Sequence, residues 1–131
     1  MLQADVRASG PTLAEARDAF YATIDDTQDL LGGTWDVQDD PSPRHCELQS
    51  GGSGLSYSAL RIAPADSITS VPVAWERWGY SVQRDTIGPV DQLLGTNEAA
   101  VVLILRASDR ATTLMGESEC RPVDAEASAR E

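Results

Sequence analysis

The chain has 131 residues and a mass of 14.0 kDa, which allows one domain with its own core. It carries 21 acidic residues against 10 basic ones, all of them Arg, for a formal net charge of −11. That balance excludes nucleic acid as a partner and disfavours an anionic membrane surface, because both are bound by basic groups. No apolar run approaches the ~20 residues of a membrane span, and 41% hydrophobic residues is a globular composition.

Residues 1–11 read as a flexible lead-in without the apolar stretch of a secretory signal, stopped by Gly10-Pro11. Thr12 and Glu15 form a capping box that opens a helix. Leu13, Ala16, Phe20, Ile24, Thr27 and Leu31 then recur at three- and four-residue spacing, which predicts one buried stripe ending at Gly32-Gly33. Asp18, Asp25, Asp26 and Asp29 lie on the other faces, and three of them crowd the end of the helix where the macrodipole disfavours anions. Local helix energetics give no reason for that placement.

Thr34 to Gln38 alternates as a strand, with Trp35 and Val37 on one face. Asp39 to Arg44 holds two prolines and is a loop. Cys46 to Gln49 and Leu55 to Ala63 read as two strands of a hairpin around Ser50-Gly51-Gly52-Ser53-Gly54. A second helix is expected from about Ala65 to Trp78, with Ile68, Val71, Trp75 and Trp78 on its stripe and Gly79 as its stop. Tyr80 to Gln83 alternates as a strand, whereas Arg84 to Asn97, with Gly88-Pro89 and Gly95, reads as mostly loop. Ala99 to Leu105 is the strongest strand and reads as central in the sheet. Ser108-Asp109-Arg110 turns it back, Thr112 to Cys120 is its partner, and residues 123–131 look like a frayed tail.

The expected fold class is α+β: one domain over residues 12–122, two helices packed on one face of an antiparallel β-sheet, in the order α-β-β-β-α-β-β-β. Cys46 and Cys120 fall in different hydrophobic segments. They are expected to close one bridge, with two buried thiols and then a metal site as the alternatives. A bridge would close a loop of about 75 residues, to which chain entropy credits up to ~4.5 kcal/mol.

Chemistry-bearing residues are sparse. His45 is the only histidine. As a neighbour of Cys46 on a strand it points to the opposite face, so it reads as a surface residue rather than the base of a nucleophile pair. Gly52-Ser53-Gly54 lacks the nucleophile-elbow context, and Asp25 to Asp29 lies in a helix and cannot wrap a calcium ion. No catalytic, cofactor-binding or metal-ligating residue is therefore assigned. Trp75 and Trp78, with Tyr80 just beyond, read first as core and second as a partner surface.

Trp35 after the first helix, Cys46, the Trp78-Gly79-Tyr80 junction and the closing hairpin ending at Cys120-Arg121-Pro122 together resemble small secreted or lipid-anchored actinobacterial proteins of the LppA-like lipoprotein kind. The resemblance spans residues ~12 to 122 and implies an envelope location, a structural disulfide and two helices on an antiparallel sheet. It supplies no catalytic residues, and here no leader or lipobox cysteine precedes the first helix. Two functions are expected. The first is a non-enzymatic secreted or cell-envelope binding module, with a protein or small ligand as partner. The second is an intracellular acidic inhibitor or immunity-type protein that blocks a basic enzyme site.

Overall fold

A computed structural model describes residues 10–64 and 70–123 of the chain. Helix α1 spans Leu13–Leu31 and starts with the full capping box: the Thr12 side chain accepts from the Glu15 N–H, and Glu15 accepts from the Thr12 N–H. It stops at Gly32, whose φ of 72° lies in the left-handed region open to glycine. Strands β1 (Asp36–Val37), β2 (Arg44–Glu47), β3 (Ser53–Ser56) and β4 (Ser58–Pro64) follow, then helix α2 (Val71–Arg77). Strands β5 (Ser81–Ile87), β6 (Val90–Thr96), β7 (Val102–Ala107), β8 (Ala111–Glu117) and β9 (Arg121–Pro122) complete the order.

The strands form two antiparallel sheets. The larger runs β1-β4-β8-β7-β6-β5 and the smaller runs β2-β3-β9. Both helices lie on one face of the larger sheet, giving the α+β architecture expected. Phe20 of α1 and Trp75 of α2 reach that face where glycine makes room. A Cβ on Gly116 would meet the Phe20 ring at 2.9 Å, and one on Gly95 would meet the Trp75 ring at 2.8 Å. Around these rings Ile24, Val71, Leu93, Leu103, Leu105 and Leu114 have no exposed surface and form the core. Trp75 is likewise fully buried, and its indole N–H donates to the Thr27 hydroxyl at 3.0 Å, which explains a threonine within the apolar stripe of α1.

The element order differs from the expectation in three places. The segment from Arg84 to Asn97 is a hairpin, not a loop. Gly88 has φ 60° at the first position of a two-residue turn before Pro89, as a type II′ hairpin requires, and Ile87 pairs with Val90. Gly95 lies inside β6, where it admits Trp75.

The strand expected over Leu55 to Ala63 is two strands. Cys46 pairs with Gly54 in the small sheet, and after Tyr57 the chain passes into the large sheet, where β4 pairs with β8 rather than with the cysteine strand. The last strand, expected over Thr112 to Cys120, ends at Glu117, and a further short strand, β9, follows the cysteine and pairs with β3. The second helix occupies Val71–Arg77, and its expected start near Ala65, with Ile68, lies outside the described residues, as do most of the lead-in and tail.

Candidate functional site

The small sheet is built without apolar core. None of the buried hydrophobic side chains comes from β2, β3 or β9. A disulfide between Cys46 and Cys120, 74 residues apart and with Cα atoms separated by 6.0 Å, holds it instead. Gly54 lies beneath the bridge, where a Cβ would stand 2.7 Å from the Cys120 sulfur. Tyr57, at the junction of the two sheets, is fixed by a reciprocal pair of bonds. Its N–H donates to the Ser118 hydroxyl, and the Ser118 N–H donates to its carbonyl, both at 2.8 Å.

Beside this junction a cleft of about 450 Å³ opens between α1, the β1–β2 loop and the large sheet. Its lining is Arg17, Tyr21, Asp39, Pro41, Tyr57 and Arg61, and its volume falls within the ~300–1,000 Å³ of small-ligand sites. Arg61 makes the charged floor. It lies on β4 between Ala59 and Ala63, on the helix-covered face, and is only 6% exposed.

A buried guanidinium must be compensated, and this one is. Its Nε and Nη2 donate to the Asp39 carboxylate at 2.6 to 3.0 Å. Its Nη1 donates to Asp25 at 2.9 Å and to Gln28 at 2.8 Å. The bond to Asp39 raises the Arg61 pKa further above its ordinary value and outweighs the opposing effect of burial. Asp39 is itself located by the Leu60 N–H, which donates to it at 2.8 Å.

The walls are fixed as well. The Tyr21 hydroxyl donates to the Ser58 carbonyl at 2.7 Å, and burial, followed by the Asp39 charge, pushes its pKa up. The Arg17 guanidinium stands 5.8 Å from the centre of the Tyr57 ring, within cation–π range. The cleft thus combines the Arg17 guanidinium, two phenol rings, a proline and a paired Arg–Asp floor, of which Tyr21, Asp39 and Arg61 are held by side-chain hydrogen bonds before any ligand arrives.

These residues were not singled out by sequence. One signal was available: Asp25 sits where the macrodipole disfavours an anion, and its reason is Arg61, 36 residues away. Of the acids in α1 and residues 36–40, Asp39 is turned inward onto Arg61, Asp25 bonds Arg61 while keeping a 62% exposed side chain, and Asp26, Asp29, Asp36 and Asp40 are exposed.

His45 is exposed on β2, opposite Leu55. Trp75 and Tyr80 belong to the core, and burial pushes the Tyr80 phenol up. The candidate partner surface therefore contracts to Trp78, which is 39% exposed. Among the described residues, no group of three or more His, Cys, Asp or Glu side chains could hold a metal ion, and no helix is long and apolar enough to cross a membrane.

No protein-family model matches the chain, and no curated protein matches it in sequence. Among solved structures it is similar to a DUF4853 family protein from Actinomyces odontolyticus, at 12% identity and a TM-score of 0.49, over 86% of this chain and 67% of that one.

Proposed function

We propose that the chain is a non-enzymatic binding module working outside the cytoplasm, as a secreted or envelope protein of the LppA-like lipoprotein kind, with the cleft beside Tyr57 as its ligand site. The observation that carries this reading is the Cys46–Cys120 disulfide, which closes a sheet that has no apolar core of its own. Such a bridge persists in oxidising compartments and is rare where thiols are kept reduced. The rigid walls of the adjoining cleft support a binding role, because side chains already held in place lose little freedom when a ligand enters. The two charged groups of its floor, Asp39 and Arg61, bind one another.

The test is the thiol state of the protein taken from its native host with alkylating reagent present from lysis. Both cysteines are expected to resist modification until reductant is added; ready alkylation of both would overturn the extracytoplasmic reading. For the cleft, Tyr57→Ala is expected to abolish capture of a partner from the envelope fraction while leaving the melting temperature within a few degrees. Unaltered capture would remove the cleft from the proposal. The net charge of −11 and the exposed acids of α1 favour the acidic-inhibitor reading as second. That alternative requires an affinity for a basic enzyme that falls steeply with salt.

A further inference from the structure

We propose that the outer face of the six-stranded sheet is a self-association surface, on which a second copy of this chain docks face to face about a two-fold axis running across the strands. Both helices cover the opposite face, through Phe20 over Gly116 and Trp75 over Gly95. The outward-pointing residues nevertheless read as half of a core. Leu60, Met115, Ile104 and Leu94 lie side by side on β4, β8, β7 and β6 in direct register, forming one apolar row across four strands. All four are half-buried. Two antiparallel sheets that stack such faces bury them at ~10 Å separation.

The rows on either side of the apolar row identify the occupant. On one side Thr113 pairs with Arg106 and Arg106 with Gln92; on the other, Glu117 pairs with Val102 and Val102 with Thr96. A two-fold axis along the apolar row sets that row against itself. It also exchanges the flanking rows, so the Thr113–Arg106 pair of one copy lies over the Glu117–Val102 pair of the other. Arg106 of each copy then stands diagonally across from Glu117 of its mate, within the combined reach of the two side chains. Both residues are exposed. The face is thus complementary to itself in charge as well as in apolarity, the condition for an isologous dimer. The four strands that carry the row, six or seven residues long and ~4.8 Å apart, give a footprint of about 450 Å² per copy, which places the contact among small interfaces that associate weakly and reversibly.

The full chain, with its disulfide intact, is examined by sedimentation velocity from about 1 µM to about 500 µM, a range that spans micromolar self-affinity. A reversible monomer–dimer equilibrium is expected. Arg106→Glu and Glu117→Arg should each weaken the dimer by about tenfold or more, because each places like charges across the interface twice. The double charge swap should restore it to within about threefold of the parent. Circular dichroism of each variant separates lost association from lost folding, which matters most at Glu117, whose carboxylate accepts from the buried Ser56 hydroxyl at 2.6 Å. A monomer throughout the range would overturn the proposal, as would single variants that associate like the parent or a double swap that does not recover.

Discussion

The two sheets of this protein are closed by different chemistry. The six-stranded sheet is held by a continuous apolar core in which Phe20, Ile24, Trp75 and the leucines of β6, β7 and β8 interdigitate beneath two helices. The three-stranded sheet contributes no buried apolar side chain to that core and is held by a covalent bridge, the two hydrogen bonds between Tyr57 and Ser118, and its contact with α1. The Arg61 cluster belongs to the larger sheet, joining α1, the loop after β1, and β4 through side-chain bonds. Apolar burial stabilises only where enough surface is removed from water. A small sheet of short strands removes little, so its order depends on a cross-link that restricts the unfolded chain.

That contrast can be broken at either end. Trp75→Ala should have the largest effect, about 3–5 kcal/mol, because it empties a fully buried ring site and leaves the Thr27 hydroxyl without its donor; chemical denaturation should show both sheets lost together. Replacing Cys46 and Cys120 together by serine should cost about 2–4 kcal/mol, with the damage concentrated in β2, β3 and β9.

Asp39→Ala should cost about 2–4 kcal/mol, since it strands a buried guanidinium, whereas Asp25→Ala, at a 62% exposed side chain, should cost under about 1 kcal/mol. Denaturant midpoints of the two variants check the difference, and equal losses would contradict a cluster centred on Asp39.

Two smaller effects sharpen the picture. Burial raises the Tyr21 and Tyr80 pKa values above the ordinary 10.0. The folded state therefore holds its phenol protons more tightly than the unfolded state, and this contribution is complete below pH 10. It is lost as pH rises through the folded values. Stability should fall in that alkaline window and fall less in Tyr80→Phe, as followed by denaturation at stepped pH. Ala100, at φ 65° before β7, is in the left-handed region without being glycine. Ala100→Gly should be neutral to about 1 kcal/mol stabilising in a melting experiment.

The helical half of the fold was legible because its signals are local. The capping box at Thr12, the stripe through Ala16, Phe20 and Ile24, and the stop at Gly32 all appear as the sequence implies. The missed hairpin shows where such reading fails. Gly88-Pro89 signals a break, but the break is a two-residue turn between paired strands, and Gly95 marks the approach of a ring from an element 20 residues earlier.

The split of the Leu55 to Ala63 segment, with β4 pairing to β8, has no local signal either. In β4 the apolar residues Leu60 and Ile62 point away from the helices, and the helix-covered face carries Ala59, Arg61 and Ala63. Small residues there make room for a guanidinium whose partners, Asp25, Gln28 and Asp39, lie 22 to 36 residues away. No window of sequence contains that cluster, so the cleft it floors could not be found before the fold. The Cys46–Cys120 bridge was expected from sequence and is present, but the placement of β9 beside β3 that brings the two cysteines together is long-range and has no local signal.

The most direct test of the contrast between the two sheets is amide hydrogen exchange on the oxidised and the reduced protein under native conditions. Reduction is expected to remove protection from the amides of β2, β3 and β9 almost entirely, while those of β6, β7 and β8 stay protected and weaken only by the ~2–4 kcal/mol that the bridge gives the whole fold. Equal loss across both sheets, or none in either, would contradict it.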